Sequence, residues 1–111
     1  MNVKELAHNL GCTILTGEEG LDNKVTGGYC GDLLSWVMGR ANTGDAWLTV
    51  MGNINSIAVA VLADTACIIL TENAVLDEDA KNRAIQQGIP VLHSEQNSFE
   101  LAVRLSELLK K

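Results

Sequence analysis

The side chains able to do chemistry in this chain are few and widely spaced. The histidines are His8 and His93, and the cysteines are Cys12, Cys30 and Cys67. Cys30 would need a base to become a thiolate nucleophile. His93, after the last predicted strand, is the one base whose place at the carboxyl edge of a sheet allows such a pair. An enzyme using Cys30 and His93 is therefore the remotest reading, and no catalytic residue is assigned. Zinc and iron–sulfur centres need thiolates in close local pairs, and the cysteines form none. Two lone histidines without clustered carboxylates imply no metal site, and nothing implies a cofactor. Three cysteines beside an ordinary apolar core read as reduced and structural, as in a cytosolic protein. Cys67, within Ala66-Cys67-Ile68-Ile69-Leu70, reads as a buried small apolar residue.

Two glycine-bearing segments offer backbone N–H groups to a ligand. Gly27-Gly28-Tyr29-Cys30-Gly31-Asp32 is not GxGxxG, and it lacks the lysine that a P-loop places on its phosphates. No P-loop occurs anywhere in the chain, which argues against ordinary P-loop kinase or ATPase chemistry. The segment reads either as a strand-to-helix turn or as a rim loop of Gly28, Tyr29, Gly31 and Asp32, with Tyr29 able to stack on a ring. In the second segment, Gly52 permits close backbone approach, while Asn53, Asn55 and Ser56 supply uncharged donors and acceptors. Asn53 or Asn55 serves equally well as an ordinary helix cap. Ligands of parallel sheets sit beyond the carboxyl ends of the strands, where helix N-termini converge. The candidate ligand-binding set is therefore Gly52, Asn53, Asn55 and Ser56, with Thr71, Glu72 and Asn73 after the next strand and Ser94 after the last.

The elements that must position these residues follow from pattern and punctuation. Asn2 can cap a helix with Val3, Leu6, Ala7 and Leu10 on one face, ended by Gly11. Cys12–Leu15 reads as a strand, and Lys24–Tyr29 as a second one weakened by Gly27 and Gly28. Asp32 is a natural N-cap for a helix through Leu33, Leu34, Val37 and Met38. Strands at Ala46–Met51, Ala66–Leu70 and Ile89–Leu92 then alternate with helices over about 54–63 and from Asp77 to Gly88. Asn97 and Glu100 have capping spacing ahead of a last helix, with Lys110 and Lys111 at its cation-favouring end. This alternation predicts right-handed βαβ units. The expected fold class is α/β: a mainly parallel β-sheet of about five strands flanked by helices, a three-layer sandwich, forming one domain over residues 1–111.

Composition removes several function classes. The 111 residues carry 8 Lys+Arg against 14 Asp+Glu, a net charge of −6, which argues against nucleic acid or an anionic membrane as partner. Aromatic residues make up only 4%, too few for a base-stacking platform. The amino terminus lacks the charged and apolar regions of a signal peptide, and the apolar stretch from Ile57 to Leu70 is interrupted by Asp64 and Thr65. A soluble cytoplasmic protein is expected. One segment is unusual: Ile57–Ala63, if helical, is apolar all round, whereas a helix lying on one sheet needs a polar face. Ile57, Val59, Ala60 and Val61 are therefore expected at a homodimer interface, with cover by the final helix or the N-terminal arm as the alternative.

Several segments in order resemble the DRTGG domain: Thr43-Gly44-Asp45-Ala46-Trp47-Leu48-Thr49, Gly52, Ala66-Cys67-Ile68-Ile69-Leu70-Thr71 and Gly88-Ile89-Pro90-Val91-Leu92. The segment Gly28–Ala41 is similar to a subgroup of stand-alone bacterial members, some encoded near iron-only hydrogenase genes. The resemblance implies likeness to the N-terminal domain of HPr kinase/phosphorylase and a dimerising, regulatory module outside the catalytic part. The family's Gly-Asp-Arg-Thr stretch falls on Gly52-Asn53-Ile54-Asn55, and its Thr-Gly-Gly on Thr71-Glu72-Asn73. Losing the arginine removes the best phosphate-binding group, and Glu72 adds negative charge at the same rim. The leading expectation is a non-catalytic regulatory or interaction module, homodimeric, in a bacterial cytoplasm, with a protein or small molecule as its partner. The alternative is a small-ligand sensor, a nucleotide among the ligands considered, binding at the carboxyl edge of the sheet.

Overall fold

A computed structural model describes residues 1–110. Asn2 caps α1 (Val3–Leu10) reciprocally: its side chain accepts from the Glu5 N–H, and the Glu5 carboxylate accepts from the Asn2 N–H. Val3, Leu6, Ala7 and Leu10 share the buried face of this helix. The chain continues through β1 (Thr13–Thr16), a 3₁₀ turn (Glu18–Gly20), β2 (Gly27–Cys30), α2 (Leu34–Arg40), β3 (Asp45–Thr49) and α3 (Ile54–Ala63). It ends with β4 (Cys67–Leu70), α4 (Glu78–Gln87), β5 (Val91–His93) and α5 (Ser98–Leu109).

The sheet order is β1-β5-β4-β3-β2. Strands β2 to β5 are parallel, and β1 runs antiparallel to β5, with Thr13 opposite His93. Three crossovers step across the sheet in one direction with α2, α3 and α4 on one face, as a constant crossover hand requires. Helices α1 and α5 cover the other face. Side chains of the central strands alternate between the two layers: Ala46, Leu48, Cys67 and Ile69 point towards α1 and α5, while Trp47, Ile68 and Leu70 point towards α2–α4. The result is the expected three-layer α/β arrangement, with one antiparallel pair at its edge. No helix among the described residues is long and apolar enough to cross a membrane.

Three local expectations change. The second strand starts later than Lys24, which contributes only an isolated bridge to Asn2. The preceding segment serves α1 instead: Val3 N–H donates to Asn23 O, and Lys4 N–H to Leu21 O. These carbonyls satisfy donors that the first turn of a helix leaves unpaired. Asp32 does not cap α2, since Leu33 holds the N-cap position without a side-chain bond. The apolar helix α3 turns Ile57, Val59 and Ala60 inward, each at most 4% exposed, against the sheet and the flanking α2 and α4. Those three residues are therefore buried within the single chain, and Val61 alone of the expected four is exposed. Lys110 follows α5 as its C-cap, while Lys111 lies outside the described residues.

Arg104 on α5 ties the two helices of the α1/α5 layer. Its guanidinium donates to Leu10 O at 3.3 Å, Asn9 O at 3.0 Å and Gln96 Oε1 at 2.7 Å. The first two of these bonds satisfy carbonyls at the end of α1, where no intrahelical partner exists. Arg104→Met keeps much of the aliphatic stem and removes the donors. It should lower stability by about 1–3 kcal/mol in urea unfolding without changing the far-UV spectrum.

Candidate functional site

The carboxyl ends of β2 to β5 form one rim, and most of the polar groups there are engaged with one another. In the loop after β3, Asn53 caps α3, its Oδ1 accepting from the Ser56 N–H at 3.1 Å. The buried Ser56 hydroxyl donates to Met51 O at 2.6 Å. A Cβ on Gly52 would strike the backbone of Val75, and the Asp77 N–H donates to Gly52 O at 2.8 Å. The close approach that Gly52 permits is thus one made by the chain's own loop after β4. Asn55 is exposed in the first turn of α3. Gly52→Ala should destabilise the fold by about 1–3 kcal/mol through overpacking, read as a lowered urea midpoint with unchanged slope.

The loop after β4 is laced to the loop after β5. Thr71 Oγ1 and Ser98 Oγ lie 2.6 Å apart, and the Ser98 N–H donates to Glu72 Oε2 at 2.8 Å. The Glu72 N–H donates to Gln96 O and the Asn73 N–H to Ser94 O, while Ser94 Oγ accepts from the Gln96 N–H. Glu72 and Asn73 both hold φ 58, a left-handed conformation that glycine adopts without steric cost. The pair thus keeps a backbone suited to glycine although neither residue is one.

At the end of β2, Asp32 Oδ1 accepts from Thr49 Oγ1 at 2.7 Å and from the Val50 N–H at 3.0 Å, tying the rim loop to β3. The Trp47 indole N–H donates to Gly31 O at 2.9 Å. Tyr29 packs at the margin of the α2–α4 core and, with Gly28 and Cys30, lines a cleft of about 320 Å³ against Leu105 and Leu109 of α5. Of the four rim residues, Gly28 and Tyr29 share this cleft, while Gly31 and Asp32 are tied to β3.

Cys30 and His93 are not neighbours. Strands β3 and β4 lie between theirs, three interstrand steps or about 14 Å. Burial, and secondarily the Asp32 carboxylate, push the Cys30 thiol above its ordinary range, opposite to the activation a nucleophile needs. Burial pushes Cys12 up to about 11 and raises Cys67 further. Since the thiolate is the reactive form, Cys30 should react with iodoacetamide more slowly at pH 7 than a free thiol of pKa about 8.5. Its rate should keep rising past that pH, and the fully buried Cys67 should label only on unfolding; mass spectrometry of timed alkylations measures both.

Two clefts open on this edge. A cleft of about 370 Å³ lies between the loop after β4, the start of α4 and the β1/β5 edge, and His93, Asn73, Glu78 and Lys81 are among its lining residues. A smaller one of about 250 Å³ includes His93, Ser94 and Thr13. Of the sequence-derived ligand set, only Asn73 and Ser94 line these spaces. Glu78 and Lys81 were missed, although their i, i+3 spacing places them on one face of α4. Among the described residues no cluster of three or more His, Cys, Asp or Glu could hold a metal ion. On the opposite part of the surface, Val61 and Leu62 line a groove of about 290 Å³ with Ile57 and Ala58 of α3 and Arg83 and Gln87 of α4.

The model of the DRTGG domain family matches residues 5–108. No curated protein matches the sequence. The chain is similar in structure to the CBS and DRTGG domains of the regulatory region of Clostridium perfringens pyrophosphatase, complexed with activator, diadenosine tetraphosphate. That likeness has a TM-score of 0.71 at 12% identity and covers 94% of this chain and 45% of that one. The chain thus spans less than half the length of that structure, and the likeness is one of fold.

Proposed function

The chain belongs to the DRTGG domain family, and on that premise we propose that it is a non-catalytic regulatory or interaction module working as a homodimer in a bacterial cytoplasm. The observation that carries this reading is the outer strip of α3. Val61 is 42% and Leu62 69% exposed, beside the exposed Ala58, on a helix with no charged residue along its length. A helix with one face on a sheet normally presents a polar face to water. The separation of Cys30 from His93 and the internally bonded rim favour regulation over turnover.

Native mass spectrometry should give twice the chain mass for the parent protein. Leu62→Glu should give a monomer with an unchanged circular dichroism spectrum, because Leu62 projects outwards. A native dimer that survives Leu62→Glu would remove α3 as the interface. Val59→Asp is not equivalent, since Val59 lies in the core and its replacement would unfold the chain.

The second reading is a small-ligand sensor, favoured by the 370 Å³ cleft at the carboxyl edge of the sheet. The structurally similar pyrophosphatase region, whose crystal structure contains an activator, supports a ligand-dependent role. On this reading the Asn53 and Asn55 amides are peripheral and Asn73 lies at the site. Asn73→Ala should reduce any ligand-induced rise in melting temperature by mass-action linkage, whereas Asn55→Ala should leave it unchanged.

A further inference from the structure

The hydrogen bonds of the carboxyl rim run among Thr71, Glu72, Ser94, Gln96 and Ser98. Among the described residues they leave out the side chains of Glu78, Lys81 and His93, and these three line the same cleft. Glu78 and Lys81 are one turn apart on α4, an anion and a cation on one helix face. His93 stands at the end of β5, and Leu15, Val75 and Leu76 supply apolar wall between the polar groups. At about 370 Å³ the cleft is at the small end of ligand sites.

Charge narrows the ligand class. A polyanion needs concentrated cations or several free backbone donors. Here Lys81 is the one lysine or arginine in the lining, Glu78 lies beside it, and Glu72 and Glu95 add negative charge along the rim. A purely apolar ligand would make no use of either charge, and covering the exposed Glu78 and Lys81 would desolvate them with no gain from the ligand. A molecule that is neutral overall, carries both signs and has an aliphatic body satisfies every wall. We infer that the cleft binds a small zwitterion of the aliphatic α-amino acid class. Its ammonium sits on the Glu78 carboxylate, its carboxylate on the Lys81 ammonium and an N–H of His93, and its side chain against Leu15, Val75 and Leu76. This assignment rests on the ligand-sensor reading and adds the chemistry of the ligand to it.

The test is calorimetric titration of the full chain with four probes: leucine, N-acetylleucine without the ammonium, leucinamide without the carboxylate, and adenosine monophosphate. Glu78 and Lys81 are exposed, so Glu78→Gln and Lys81→Met should fold normally. Leucine should bind best, and each variant should weaken it roughly tenfold or more, the loss of one charge-assisted bond. Glu78→Gln should leave the weaker binding of N-acetylleucine unchanged, and Lys81→Met that of leucinamide. Leucine binding unaffected by either variant would overturn the assignment. Binding of adenosine monophosphate without leucine would overturn the zwitterion while the sensor reading stands. Binding of no probe, with unchanged melting temperature in each, would overturn both for this cleft.

Discussion

Strands β3 and β4 are buried at every position, from Asp45 to Thr49 and from Cys67 to Leu70. A strand with no solvent-facing side chain can exist only between two covering layers. That requirement places α2, α3 and α4 on one face and α1 and α5 on the other. It also fixes the direction of chemistry. Parallel neighbours end on a common edge, so the loops after β2, β3, β4 and β5 meet there whether or not a ligand does.

How those loops are held decides what the edge can do. Asp32, Asn53, Ser56, Glu72 and Ser94 use their side chains to brace the backbone, and the Thr71 hydroxyl pairs with that of Ser98. Such bracing makes a rigid platform, because buried or half-buried polar groups without partners are costly. A platform with most of its donors engaged is well suited to holding a shape. The free polar groups lie to one side, where α4 meets β5 and β1. Apolar side chains are exposed on the outer strip of α3, and also on α2 and its N-cap at Leu33, Trp36 and Met38 and on α5 at Phe99 and Val103.

Much of the architecture is legible from local signals. Asn2, Asn53 and Asn97 each cap the helix that follows, and Gly11 and Gly88 end theirs in left-handed geometry. Runs such as Ala66–Leu70 are too apolar to be anything but central strands. The errors share a cause, which is that a distant partner outcompetes the local one. Asp32 has the residue type of a cap, but Thr49 and Val50 claim its carboxylate. Lys24 has strand-like neighbours, but the donors of α1 draw that segment away. The all-apolar helix conveys that two sides need cover, yet not that α2 and α4 provide most of it. The cleft of His93 joins β5 to α4 and to β1 from the other end of the chain, so no spacing along the sequence could show it. The left-handed conformation of Glu72 is invisible too, because glutamate, unlike its neighbour Asn73, is not a type that visits it readily.

The antiparallel strand at the edge has a consequence for biosynthesis. β1 has its sheet partner in β5, and the core it borders is shared by α1 and α5, from Val3 to Leu105. Hence a nascent chain leaving the ribosome cannot complete this layer until α5 has been translated. The parallel strands β2 to β4 and their crossover helices can associate earlier, but one face of that intermediate remains uncovered. Contacts of such long sequence separation slow folding and leave apolar surface open to aggregation in the interval. Docking of α5 thus acts as the closing event for this domain.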